Sequence, residues 1–497
     1  MIRKVCGIET EYGILTTGAE QNPILASSLL INAYLGHLDS GVSWDYAAER
    51  PEADARGERG GFVFAPDVEP QMLNAVLRNG ARYYVDHAHP EISTPECSNP
   101  LDAVLYDCAA EEIIRRSANA LEQKMESQVS TYLYKNNCDG KGNSYGCHEN
   151  YLVQRSTQFD AIVAGVLPHF VTRQIYCGSG KVGVENLGSR RGSTPGNPFQ
   201  FQISQRADYF ETEVGLETTI RRPLVNTRDE PHCDAKKYRR LHVICGDANM
   251  SQVATFLKLA TTSVILAMIE DGVLESRMSL ADPVRAVQDI SSDPTLSVTV
   301  ELRSGDRVTA LDIQEWLCME GLAYLQRSPD CIGEESAALL GRYWPEILSG
   351  LRLRSPLVLG TVDWIAKERI LLAFASRHGI KSADPRLQMI DLQYHDMRRE
   401  KGLALRAGLQ ELVRREDIDM AIDTPPADTR AFFRGTCVAR WPDSIFAANW
   451  DSVVLKADAG HLRRIPLLEP LRGTAALTND LFNRSLTPDD LIAEIAK

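Results

Sequence analysis

Arg82-Tyr83-Tyr84-Val85-Asp86-His87-Ala88-His89-Pro90-Glu91 reads as a strand running into a turn. Strand side chains alternate between faces, so Arg82, Tyr84 and Asp86 point one way. One face therefore carries a cation, a phenol and a carboxylate within two strand steps, with Glu91 just beyond the turn. A buried structural strand does not spend three polar side chains on one face. A strand that builds an active site does.

The N-terminus repeats the pattern. In Val5-Cys6-Gly7-Ile8-Glu9-Thr10-Glu11-Tyr12-Gly13, Glu9 and Glu11 fall on one face of a second strand. Adjacent carboxylates repel unless a cation lies between them. Oxygen-rich pairs suit Mg²⁺, above all where the metal also meets nucleotide phosphates. The alternative is a solvent-facing edge strand. Arg239-Arg240-Leu241-His242-Val243-Ile244 alternates as well, with Arg240 and His242 on one face and Leu241 and Val243 on the other. Gln205-Arg206-Ala207-Asp208 and Asn226-Thr227-Arg228-Asp229-Glu230-Pro231-His232 add Arg206 and Arg228 outside obvious helices. Arginine suits bidentate recognition of phosphate and carboxylate. Each of these taken alone reads as an ordinary ion pair. Clustered with acidic metal-ligand candidates, they describe a Mg-nucleotide site on an antiparallel sheet, with Asp86 as candidate base or nucleophile.

The chain has 497 residues, is 44% hydrophobic and carries a net charge of -13. That is enough for a large core and more than one domain. The acidic balance argues against nucleic acid as a partner, which calls for a basic footprint. Eleven cysteines without a Cys-x-x-Cys pair or zinc spacing point to a reducing compartment. Arg3, Lys4 and Glu9 interrupt any signal peptide. The longest apolar region, Val253 to Ile269, contains Lys258 and several threonines, so a buried helix is expected there and no membrane span. The expected location is cytoplasmic.

Trp44 to Pro70 is rich in charge, Ala, Gly and Pro without an apolar period, and reads as a long mobile loop. Asn99 and Pro100 open a helix in which Leu101, Val104, Leu105 and Cys108 recur at helical spacing. Asn136 to Gly146 is a Gly/Asn-rich loop, Gln202 to Tyr209 and Tyr238 to Asp247 are expected strands, and Ser251 to Asp271 an expected helix ending at Gly272. Thr424-Pro425-Pro426 divides a catalytic domain, 1–425, from a small C-terminal domain, 426–497. Cys147-His148 invites a thiol-protease reading, but adjacent strand residues face opposite ways. Gly178-Ser179-Gly180-Lys181 fails as a P-loop, since Ile175 and Val182 stand where Gly and Ser/Thr are required. Trp450 is a core tryptophan by default and a platform for a nucleotide base as the alternative.

Together these segments resemble the Pup ligase/depupylase family, a branch of the glutamine synthetase-like carboxylate-amine ligases. The resemblance runs along nearly the whole chain. Beyond the segments above it includes Ser144 to Tyr151, Tyr238 to Asn249, Phe433-Arg434-Gly435 and Asn449-Trp450-Asp451-Ser452. Two features are similar to the depupylase branch: the insertion beginning Trp44-Asp45-Tyr46 and containing Asp54-Ala55-Arg56-Gly57, and the form of Val85 to Glu91. Ile8-Glu9-Thr10-Glu11 is closer to the ligase form, and Ile92 stands where depupylases usually carry Tyr.

The resemblance implies an α+β fold, a glutamine synthetase-like large domain whose curved antiparallel sheet forms a cradle packed on helices. It implies an ATP- and Mg²⁺-dependent amidase, using ATP or ADP with phosphate. Such an enzyme deamidates the C-terminal glutamine of the small protein Pup and cleaves the isopeptide bond between Pup and substrate lysines. Pup, pupylated proteins and a link to the bacterial proteasome follow as partners; a Pup–protein ligase is the alternative. By resemblance Asp86 is the catalytic carboxylate, Glu9, Tyr84 and Glu91 match metal positions, and Arg82, Thr94 and Trp450 match nucleotide positions. The shared-face argument adds Glu11 and His242 to the metal set and Arg206, Arg228 and Arg240 to the nucleotide set. Arg221-Arg222 and Lys236-Lys237 are candidates for a basic groove facing acidic Pup.

Overall fold

The computed structural model describes every residue except 19–21, 38–40, 48, 58–72, 127, 185–198, 276, 458–459 and 497. Its centre is a seven-stranded sheet, antiparallel at every pairing. The strands lie in the order Tyr238–Val243, Cys147–Gln154, Cys6–Glu11, His89–Ser93, Arg82–Asp86, Asn74–Val76 and Val42–Ser43. One face of this sheet is apolar. Ile8, Tyr83, Val85, Ile92, Tyr151, Leu241 and Val243 are buried there in the main core. Fully burying such a side chain stabilises the fold by roughly 1.5–3 kcal/mol.

Helices cover that apolar face. Pro23–His37 packs on the Arg82–Asp86 and His89–Ser93 strands, Pro100–Lys124 on Cys6–Glu11, and Gln252–Glu270 on Cys147–Gln154. Asn99 caps Pro100–Lys124, its side chain accepting from the Asp102 amide at 2.9 Å. Ser251 caps Gln252–Glu270, and residues 253–269 of that helix are buried inside the protein, as expected for a core helix. With one face of the sheet closed by helices, the polar side chains of the alternating strands are left on the other.

Two expected strands differ from the structure. Of Gln202 to Tyr209 only Phe201–Gln202 is extended; Ser204 to Arg206 form a turn and Ala207–Tyr209 a 3₁₀ helix. Asp247 imposes the turn, its carboxylate accepting from the Gln205 amide at 2.9 Å and from Ser204 Oγ at 2.9 Å. The Tyr238 strand stops at Val243, so Asp247 lies in the loop beyond it.

Residues beyond Pro426 carry a three-stranded antiparallel sheet, Ile445–Ala448, Ser452–Lys456 and Leu462–Pro466. Its apolar side chains form a second core that also takes in Val42, Trp44 and Val76 from the edge of the large sheet. Arg430 and Arg434 reach back to Glu96, Arg430 Nε at 2.7 Å. Of the stretch expected as a loop, Ala48 and residues 58–70 lie outside the described residues. Its first part is held by backbone bonds, Ala55 N donating to Thr227 O at 2.8 Å and Asp229 N to Ala53 O at 2.7 Å.

Candidate active site

The register of the sheet assembles the site. Arg82–Asp86 turns back into His89–Ser93 through His87 and Ala88, with His87 at φ 51°. Tyr84 then lies opposite Glu91, and Glu91 opposite Glu11. One step along, Arg82 lies opposite Ser93, Ser93 opposite Glu9, and Glu9 opposite His148. Opposed residues of an antiparallel pair share a face, about 5 Å apart at Cβ. Four strands thus bring every predicted acid of the site onto one surface.

Two groups of potential metal ligands result, each with its donor atoms within 4.8 Å of one another: Glu11, Asp86 and Glu91, and Glu9, His148 and His242. The first is all oxygen, the donor set for a hard divalent cation. Its electrostatics fit one. Burial, and then the charges of Asp86, Glu11 and Glu9, push the Glu91 carboxyl well above the carboxylate range. A dication among these oxygens removes that repulsion. Burial and the neighbouring Glu91 likewise raise the Tyr84 phenol.

Asp86 stands at the rim, its side chain 39% exposed. Burial alone would raise its carboxyl. His87 Nδ1, 3.0 Å away, together with the charges of His148 and Arg82, outweighs burial and keeps it below the usual value. The His87 imidazole is in turn pushed up to about 9, chiefly by Asp86. Asp86 is therefore an ionised, accessible carboxylate beside a cation, able to take a proton or attack a carbonyl.

The second group is knitted by Asn150. Its Nδ2 donates to Glu9 Oε1 at 2.8 Å, and its Oδ1 accepts from Arg240 Nη1 at 2.7 Å and lies 3.1 Å from His242 Nδ1. Burial would raise Glu9, but His148, His242 and Arg240 hold it well below the usual range. Burial keeps His242 well below an ordinary imidazole, so it remains neutral at physiological pH. Arg228 lies beside Arg240, and its Nε is buried without a hydrogen-bond partner among the described residues.

From Glu9 a pocket opens away from Asp86. It encloses about 580 Å³, open solvent included, and is lined among others by Gly7, Glu9, Thr94, Glu96, Arg240 and Trp450. Gly7 shares the face of Glu9 and leaves the floor bare. The Trp450 ring meets Trp44 edge-on at 5.2 Å, and Arg434 stands 4.9 Å from it. Arg82 lies between the rings of Trp44 and Tyr84, at 4.1 and 4.0 Å. The lining thus joins the aromatic wall of Trp450 to the charged side chains of Glu9, Glu96, Arg240 and Arg430.

The sequence-derived residues Glu9, Glu11, Arg82, Tyr84, Asp86, Glu91, Thr94, Arg228, Arg240, His242 and Trp450 fall along this one surface. Arg206 stands apart from the pocket, electrostatically nearest Glu11. Of the groove candidates, Lys237 pairs with Glu469 and Arg222 donates to the Thr218 and Ser144 carbonyls at 2.8 and 3.1 Å, while Arg221 and Lys236 are exposed. The sequence analysis weighed His148 only as a partner for Cys147 and gave no role to Asn150 or to His89, whose Nδ1 lies 3.0 Å from Glu11 Oε2. Asn150 and His148 alternate on their strand with buried Cys147 and Glu149, a signal that was present. Cys147 faces the core near Lys258 Nζ, 3.7 Å away, and so turns away from His148.

A family model described as Pup-ligase protein matches residues 4–454. The chain is 44% identical to a depupylase of Acidothermus cellulolyticus, over 99% of both chains. It is 43% identical to a Pup deamidase/depupylase of Mycolicibacterium smegmatis, over 99% of this chain and 100% of the relative. A Pup–protein ligase of Acidimicrobium ferrooxidans is 37% identical over 95% and 96% of the two chains. Among solved structures, the complex of Pup with its ligase PafA superposes with a TM-score of 0.78 at 29% identity, over 95% of this chain and 89% of that one. The ligase PafA bound to ADP gives 0.73 at 32% identity, over 82% and 89%.

Proposed function

Since the chain belongs to the Pup-ligase family, we propose that it is a Pup deamidase and depupylase of the cytoplasm, hydrolysing amide and isopeptide bonds at the side-chain carbonyl of the C-terminal residue of Pup. The relatives named depupylase match more of the chain, at higher identity, than those named ligase. The observation that carries the reading is the single surface on which an ionised, accessible Asp86 adjoins a cluster of carboxylates, with a pocket lined by Thr94, Arg240 and Trp450 beyond Glu9.

The pocket takes ATP, or ADP with phosphate, its base beside Trp450 and Thr94 and its phosphates toward Arg240, Arg228 and Arg82. Glu11, Glu91 and Glu9, with Tyr84 behind them and His148 and His242 alongside, would hold Mg²⁺. When bound, Mg²⁺ supplies positive charge for the oxygen of a carbonyl becoming tetrahedral. Asp86 supplies the electron pair that opens the reaction, and its neighbour His87 keeps that carboxylate ionised. Hydrolysis adds water across the amide: the carbonyl carbon gains an oxygen, and the nitrogen leaves with a proton as ammonia or a lysine amine.

The test incubates the protein with Mg-ATP and a Pup–lysine conjugate and reads intact masses. Release of Pup and the unmodified partner is expected. Absence of cleavage, with conjugation of Glu-ended Pup to a target protein instead, would overturn the reading in favour of ligation.

A further inference from the structure

A second cavity opens between helices and shares no lining residue with the pocket beyond Glu9. It encloses about 670 Å³, open solvent included, and small-molecule sites span about 300–1,000 Å³. The helices Glu334–Leu353 and Asp363–His378, the 3₁₀ turn Pro356–Gly360 and the loop from Pro294 to Leu296 form its walls. Leu296, Leu351, Val358, Trp364 and Ile365 make most of the lining apolar. The Trp364 indole spends its one donor on the Ile175 carbonyl at 2.9 Å, so its ring offers an apolar wall.

Two charges stand in this lining. Glu368 is its one acid and Arg354 its one base among the described residues. Neither side chain has a hydrogen bond or ion pair within the described residues, so the two do not pair with each other. Arg354 is nevertheless the charge that acts on Glu368. They stand near one another across a gap wider than an ion pair. Burial pushes the Glu368 carboxyl up, and Arg354 counters only part of that. Holding a carboxylate against apolar walls without a partner is costly.

The backbone bends to bring these groups in. Seven described residues other than glycine have positive φ. His87 adjoins Asp86 and His232 lines the pocket beyond Glu9. Two more, Leu296 at 58° and Arg354 at 52°, line this cavity. Left-handed backbone disfavours bulky side chains, and glycine is the usual residue where a helix ends this way. Such outliers concentrate at functional sites and ligand clamps. Both are held in place. Asp293 accepts from the Thr295, Ser297 and Val298 amides at 2.9, 2.8 and 2.7 Å, which fixes the Leu296 turn. The Arg354 and Ser355 amides close the helix on the Leu351 and Gly350 carbonyls at 3.4 and 2.8 Å.

We propose that this cavity binds a free apolar α-amino acid, with its ammonium on Glu368, its carboxylate on Arg354 and its side chain against Trp364, Leu351 and Val358. Such a molecule carries both charges on one carbon beside an apolar group, the complement of this lining. A guanidinium fork matches a carboxylate with two parallel bonds. A residue inside a peptide has lost both charges and forfeits both contacts.

Isothermal titration of the full chain with L-leucine, L-methionine and L-phenylalanine tests the assignment. At least one is expected to bind with a dissociation constant of about 1 mM or tighter. N-acetylation or methyl esterification of that amino acid should each weaken binding roughly 10- to 100-fold, the worth of hydrogen bonds to a charged group. Glu368→Gln should weaken the free amino acid and leave the N-acetyl derivative unchanged. Arg354→Gln should weaken the free amino acid and leave the methyl ester unchanged. Arg354→Gly relieves the left-handed backbone, so it should melt no lower than wild type and still bind no better than Arg354→Gln. That variant separates a lost contact from a lost fold. No binding of any of the three, equal binding of the doubly blocked amino acid, or binding indifferent to all these variants would overturn the assignment. The depupylase reading is independent of these outcomes and rests on the mass assay.

Discussion

The two ends of the site face treat negative charge in opposite ways. At the pocket end every acid is matched. Burial works against Glu96, but Arg434 and Arg430 hold its carboxyl down at about 2, and Glu9 is likewise held low by His148, His242 and Arg240. At the reaction end Glu91 and Glu11 crowd together and Glu91 is driven up. Asp86 and Glu11 each face a histidine, His87 and His89, but among the described residues no cation offsets Glu91, and an interior carboxylate left so is costly. The matched end is complete as it stands and frames the pocket, whereas the unmatched end is finished only when a cation enters.

The largest effect should come from removing the one acid that the unmatched end leaves accessible. Asp86→Asn is expected to lower conjugate cleavage by at least ~10⁴-fold, a loss typical of a reacting group, with nucleotide binding retained. Isothermal titration beside the mass assay checks both halves. Retained cleavage would remove Asp86 from the chemistry.

Next comes a pair of substitutions with opposite signs, measured by denaturation in chelator. Glu96→Gln should destabilise the protein at pH 7 by roughly 3 kcal/mol, the linkage value of a carboxyl moved from about 4.5 to about 2. Because its folded pKa is depressed, this contribution is present above about pH 4.5 and lost as pH falls toward 2. Glu91→Gln should instead stabilise the metal-free protein at neutral pH. Its folded pKa is raised, so stability present below the unfolded value is lost as pH rises, and the variant should flatten that limb. The same variant should weaken Mg²⁺ binding by about tenfold or more. If both variants shifted stability in one direction, the contrast between the ends would fail.

Gly146 tests how tightly the ends are joined. A Cβ there would lie 2.3 Å from His148 Nε2 and 2.9 Å from Glu11 Oε1, one ligand from each group. Gly146→Ala should cost about 1–3 kcal/mol of stability and weaken metal binding, readable by thermal melts with and without Mg²⁺. The smallest effect belongs to the pocket wall. Trp450→Ala should weaken ADP about fivefold, the worth of one aromatic contact, leaving the single-turnover rate at saturating nucleotide unchanged.

Much of this was legible along the chain because strand alternation is local. Tyr83 and Val85 go inward and Arg82, Tyr84 and Asp86 outward, and no distant residue is needed to say so. The Cys147–Gln154 strand hid its outward face for an identifiable reason. Glu149 points into the core, where Arg173 Nη2 meets it at 2.7 Å, so polar residues occupy both faces and the alternation is masked. His148 and Asn150 were missed on that account. The Gln202 to Tyr209 segment misled because Asp247, far along the chain, folds it into a turn.

By itself the sequence determined which side chains stand on the wet side of which strand, and with that the inventory of acids, arginines and imidazoles available for chemistry. Only the tertiary structure decided which of them meet. The pairing of Glu11 with Glu91 and of Glu9 with His148 is a matter of register. The separation of a matched from an unmatched end depends on charges delivered from remote segments, Arg240, Arg430 and Arg434 among them. Periodicity is written within a few residues, whereas electrostatic balance is a sum over everything within several ångströms, most of it distant in the chain.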